Sequence, residues 1–148
     1  MNLFRSPIRV LTTALLLLCM PMSVSATVDE SHDYAMEAAD AFVKEGFIVR
    51  EEYWNGEVKG GQKLMISHQF FKGNEYALWL GTALDDVTMD LKVFDEKGTE
   101  VQMDTKVTKH FLTVRVNPPK TGTYKVVFEM KSKTEGEPVL WALAYGYR

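Results

Sequence analysis

The run Asp85-Asp86, followed by Asp90, is the set of side chains here best suited to chemistry. Hard cations such as calcium take several oxygen ligands, and clustered carboxylates on a loop supply them. Asp85 and Asp86 fall in a turn before a strand-like run, and Asp90 shares a strand face with Thr88. The spacing departs from an EF-hand loop, which needs an internal glycine. The three acids therefore form a candidate calcium set, weighed against the commoner fate of such a run, a solvated acidic turn.

Other reactive types are sparse. The three histidines, His32, His68 and His110, have no partner at the i+3 or i+4 spacing of a helical metal site. His68 shares a strand face with Leu64, Ile66 and Phe70, the pattern of a histidine at the edge of a core. Downstream of residue 26 the serines are Ser31, Ser67 and Ser132, none in a Gly-x-Ser-x-Gly setting. Ser67 and His68 are adjacent on a strand and so point to opposite faces. No glycine-rich phosphate loop is present. These features predict a non-catalytic protein with no cofactor beyond the candidate calcium. Tyr53-Trp54, before the turn signal Asn55-Gly56, is the candidate binding surface, suited to a protein or carbohydrate ligand.

The elements that must position these residues follow a segment of another kind. Residues 1–26 read as a secretory signal peptide: Arg5 and Arg9, an apolar stretch Val10 to Met20, Pro21, then Val24-Ser25-Ala26. The stretch is short of the roughly 20 apolar residues a membrane span needs. Lipidation at Cys19 is disfavoured by the bulky Leu18 before it. A cut after Ala26 removes Cys19, the only cysteine, so the exported domain holds no disulfide. It also removes Arg5 and Arg9, leaving 15 basic against 20 acidic residues and a net charge of −5. That balance, with basic residues scattered, argues against nucleic acid and membrane surfaces as partners. The expected location is periplasmic or extracellular.

From Thr27 to Asp33 the chain is polar and acidic, read as a flexible lead-in. Tyr34–Glu45 reads as the single helix, with Ser31 or Asp33 as its cap. Ala35, Ala38, Ala39, Phe42 and Val43 form its apolar stripe, and Gly46 its stop. Beyond it, eight runs alternate at the strand period: 47–53, 63–71, 75–82, 87–94, 99–103, 111–116, 123–130 and 139–145. Short strands with turns between them and no crossover helices indicate an antiparallel β-sandwich or jelly roll of about eight strands. The expected organisation is signal peptide 1–26, lead-in and helix 27–46, and sandwich 47–148.

Three segments carry a family resemblance. Phe70-Phe71 with Tyr76 and Leu78, the stretch Asp90 to Gly98, and Pro119 to Val126 follow one another in the order and spacing of a known pattern. In it the chain resembles the bacterial pre-peptidase C-terminal domain family. The resemblance implies a β-sandwich module of secreted proteins that binds rather than catalyses, with calcium used by some collagen-binding relatives. Family members often carry an acid two positions before the Asp90-Leu91 pair, where this chain has Thr88. The alternative reading, from another class, is a structural or chaperone-like accessory subunit that docks on a larger secreted or envelope protein through the N-terminal helix Tyr34–Glu45. On physical grounds, Asp95 to Gly98 is a tight turn, and Tyr124 sits where its hydroxyl can reach the backbone of a sandwich corner.

Overall fold

A computed structural model describes residues 27–148. The signal-peptide reading, with Cys19 and the cut after Ala26, lies outside the described residues.

Helix α1 spans Val28–Lys44 and starts well before Tyr34. The expected flexible lead-in is its first turns. The reason is a reciprocal cap: Thr27 Oγ1 accepts from the Glu30 N–H at 3.1 Å, and Glu30 Oε2 accepts from the Thr27 N–H at 2.9 Å. Ser31, expected as a cap, is instead fully buried. Its hydroxyl lies 3.0 Å from the Thr27 and Leu140 carbonyls and accepts from the Ala83 N–H at 3.2 Å. Polar composition hid this, because the polar atoms of Thr27 cap the helix at the surface and the hydroxyl of Ser31 is used inside the fold.

The nine strands of the described residues are β1 Ile48–Val49, β2 Trp54–Val58, β3 Lys63–Phe70, β4 Tyr76–Gly81, β5 Val87–Phe94, β6 Gln102–Val107, β7 Phe111–Val116, β8 Gly122–Ser132 and β9 Val139–Tyr147. All pairings are antiparallel. The larger sheet runs β1-β9-β4-β7-β6, with β2 also on the β9 edge, and the smaller runs β3-β8-β5. The expected two-sheet antiparallel sandwich with one helix is what the described residues form.

Two layers of apolar packing explain the strand sequences. Between the sheets lie Leu78, Leu80, Val114 and Leu143 from one side and Leu91, Val93, Val126 and Phe128 from the other. On the far face of the larger sheet, Ala35, Ala38, Ala39 and Phe42 of α1 cover Ala77, Trp79 and Ala144. Strand β4 is therefore buried on both faces and reads as an unbroken apolar run, whereas β5 alternates against solvent.

Two strand expectations fail for identifiable reasons. The run 47–53 is a strand only at Ile48–Val49, and Asn55-Gly56, expected as a turn, is mid-strand in β2. Gly56 is there for closeness: a Cβ would lie 3.2 Å from Trp141 Cζ2. Likewise the run expected at 99–103 becomes β6, later in the chain. Thr99 to Val101 first crosses the edge of β5, where the Val101 N–H donates to the Val93 carbonyl at 2.8 Å.

The two turn devices behave as expected. Asp95 Oδ1 accepts from the N–H groups of Lys97 and Thr99 at 2.9 and 2.8 Å, while Gly98 takes φ 80°. The Tyr124 hydroxyl donates to the Lys120 carbonyl at 2.6 Å. Tyr124→Phe is expected to lower the unfolding free energy by about 1 kcal/mol. Urea denaturation checks it, and an unchanged midpoint would show that this corner bond contributes nothing.

Candidate functional site

The three acids of the candidate calcium set are not brought together. Asp85 pairs with Lys109 Nζ at 2.8 Å and approaches His110 Nε2 at 3.3 Å, both in the β6–β7 turn. The Lys109 ammonium holds its carboxyl below the ordinary aspartate range. Asp86, at φ 57°, faces Lys133 at 3.6 Å, beyond the end of β8. Asp90 is exposed on the outer face of β5, opposite Glu129 on β8. Among the described residues, no group of three histidine, cysteine or acidic side chains is arranged to hold a metal.

Tyr53 and Trp54 do not share a surface either. Consecutive residues at a strand start face opposite ways, and each packs on a different core. Tyr53 lies on the helix side, its ring stacked on His32 at 3.9 Å. Trp54 lies between the sheets, edge-on to His68 at 5.2 Å. Of the remaining reactive types, His110 stacks on Tyr34 at 4.2 Å and Ser132 donates to Glu137 at 2.6 Å.

What the fold does assemble is a cleft at one open side of the sandwich. There β3, an edge of the smaller sheet, faces the β1–β2 edge of the larger. The cleft has a volume of about 350 Å³, at the small end of ligand-site sizes. Its buried base is Tyr76 and Tyr145, with His68 beside them. Phe71, half exposed, and Tyr147 add further aromatic surface, and Arg50, Gln69 and Asn74 supply polar groups.

Each of these side chains is set by local structure. The inward alternation of β9 puts Tyr145 and Tyr147 on one face, and the register places Tyr147 opposite Tyr76 on β4. The Tyr76 hydroxyl accepts from the Phe71 N–H at 3.0 Å and from Asn74 Nδ2 at 3.3 Å, which fixes the β3–β4 turn. Arg50 sits in an interruption of the edge strand. Ile48 faces Tyr147 and Trp54 faces Leu143, so six steps along the edge match four on β9. Those two extra residues release Arg50 from regular pairing, although its N–H still donates to the Tyr145 carbonyl at 3.0 Å. The Tyr145 hydroxyl, and after it Glu52, raise its guanidinium further above its already high value.

His68 is the one cleft group that titrates near neutrality. Its ring is edge-on to Tyr145 at 4.6 Å and to Phe70 at 5.5 Å. Burial pushes its pKa below the ordinary value, against a smaller opposing pull from Glu52. A depressed histidine takes up its proton more readily in the unfolded chain, so acid favours unfolding. The penalty is absent above about pH 6.5 and grows as pH falls toward the folded value. Wild type is expected to lose melting temperature relative to His68→Gln between about pH 7.5 and pH 5. Parallel curves would contradict the buried, neutral ring.

The chemistry of this arrangement is recognition: aromatic faces, a neutral imidazole, two amides and one fixed cation. Sequence reasoning placed His68 on its face correctly but missed Arg50, Phe71, Tyr145 and Tyr147 as site residues. The spacing of Tyr145 and Tyr147, two apart on a strand, was the available signal. No family model matches the chain, and no curated protein matches it.

Proposed function

We propose that the chain is an exported, non-catalytic β-sandwich binding module, similar in kind to the pre-peptidase C-terminal domains, which takes its ligand in the lateral cleft. The supporting observation is the convergence of Tyr145, Tyr147, His68 and Phe71 with Arg50 in a cleft open to solvent. Aromatic planes next to a guanidinium and amide groups suit a protein segment or a carbohydrate, both of which offer apolar faces edged by polar groups. Ala35, Ala38, Ala39 and Phe42 of the apolar stripe of α1 are covered by the larger sheet and Val43 alone of it is exposed, so the cleft and not the helix is the surface proposed for binding.

The test is retention on an array carrying oligosaccharides and peptides. Phe71→Ala and Arg50→Ala are each expected to weaken whatever binding wild type shows by about tenfold or more. Both residues are exposed enough that melting temperature should hold. Binding that survives both substitutions at full strength would remove the cleft from the account.

A further inference from the structure

The lateral cleft favours neither sign of charge. Arg50 is the one permanently charged side chain among the described residues that line it. Glu52 pairs with that guanidinium at 3.7 Å, and Glu51 stands in the same break of the edge. Burial pushes His68 toward its uncharged form. An anionic ligand therefore meets acids beside the arginine, and a cationic one meets the arginine itself.

What the cleft offers instead is uncharged polar groups set among aromatic rings. The Tyr76 side chain is buried, and its hydroxyl accepts from the Phe71 N–H at 3.0 Å and from Asn74 Nδ2 at 3.3 Å. A hydroxyl has two lone pairs and one proton, so both lone pairs are used and the proton is left to donate. The Asn74 carbonyl oxygen is left as an acceptor on the same turn. Tyr145 and Tyr147 add hydroxyls, Gln69 an amide and His68 a neutral ring, and each of these groups both donates and accepts. Phe71, 51% exposed just past the end of β3, adds a flat apolar ring beside them.

We propose that the cleft takes a neutral saccharide, with the C–H face of one sugar ring against Phe71 and its hydroxyls toward Tyr76, Gln69 and Asn74. This rests on the reading of the cleft as the binding site. A pyranose carries the matching pair of surfaces. Its C–H groups form an apolar face that an aromatic ring can cover, and its rim is hydroxyls that each donate and accept. Those hydroxyls can take the Tyr76 proton and serve the Asn74 oxygen and the Gln69 amide at once. A peptide side chain that filled the same space with apolar atoms would leave these groups unpaired, which costs affinity. The cleft volume of about 350 Å³ suits a short end of a glycan, not a folded partner.

The probes are an array of neutral cello-, manno-, xylo- and chito-oligosaccharides, a second of sulfated and uronic-acid oligosaccharides, and a library of short random peptides. Calorimetry then measures whatever the protein retains. The expected result is a neutral oligosaccharide whose affinity changes by less than about twofold between about 0.05 and 0.5 M salt. Phe71→Ala and Gln69→Ala should each weaken it about tenfold or more, while Phe71→Trp, which keeps a flat ring, should retain it. Both positions are exposed, so an unchanged melting temperature serves as the control. Retention of charged oligosaccharides or peptides alone, lost on Phe71→Ala, would overturn the neutral saccharide and leave the cleft standing. A neutral oligosaccharide indifferent to Phe71→Ala and Gln69→Ala would bind elsewhere and overturn both. Affinity that falls about tenfold across the salt range would overturn the uncharged complement, and retention of no oligosaccharide would overturn the saccharide itself.

Discussion

Replacing Gly81 with alanine is expected to destabilise the domain by about 3 kcal/mol and to lower its melting temperature by roughly 10 °C. Gly81 ends β4 directly beneath the first turns of α1. A Cβ there would overlap the Ser31 main-chain oxygen and lie 2.7 Å from the Ala35 nitrogen. These are backbone atoms of a helix held at that end by Ser31, so no flexible side chain can yield. The helix must lift, and with it the cover over Ala77, Trp79 and Ala144. Thermal and urea denaturation give the measure. A loss below about 0.5 kcal/mol would mean that the helix is not seated as described.

Trp79 gives a sharper test of the same layer, because two substitutions should separate widely. It is fully buried, edge-on to Phe42 at 5.5 Å, on the far face of the larger sheet. Trp79→Ala removes the ring and leaves a cavity between helix and sheet, at a cost of about 3–5 kcal/mol. The indole N–H, however, is buried with no acceptor among the described residues. Trp79→Phe deletes that unsatisfied donor along with part of the ring, and relief of about 1–3 kcal/mol offsets much of the lost packing. The phenylalanine variant is therefore expected within about 1.5 kcal/mol of wild type. Equal losses in the two variants would contradict the packing given for this residue. The consequence reaches the cleft, since Tyr145 follows Ala144 on β9 and alternation puts them on opposite faces of one strand.

How far the sequence could be read follows from where period-two alternation is visible. Strands β5 and β7 alternate openly, and their expected bounds match the structure to the residue. The cap at Thr27 was hidden because a polar segment with a buried hydroxyl has the same composition as a solvated one. The stretch 47–58 misled through Asn55-Gly56, a turn signal whose glycine answers to the Trp141 ring across the strand pair. Position along the chain cannot reveal that partner. The site was less legible still. Tyr53 and Trp54 are neighbours in sequence, and for that reason face apart in a strand. Arg50, the stretch 68–71 and Tyr145 lie far apart in sequence and meet only through the pairing of the β1–β2 edge with β9 and the stacking of two sheets. Aromatic spacing on β9 was visible; which other edge it would face was not.

The most direct measurement is a map of amide and side-chain chemical shifts as a retained peptide or oligosaccharide is titrated into the domain. Binding in the lateral cleft predicts the largest changes at Arg50, His68, Phe71, Tyr145 and Tyr147, with the exposed side of α1 unchanged. Changes centred on α1, on the Asp85–Lys109 pair or on the outer face of the smaller sheet would contradict it.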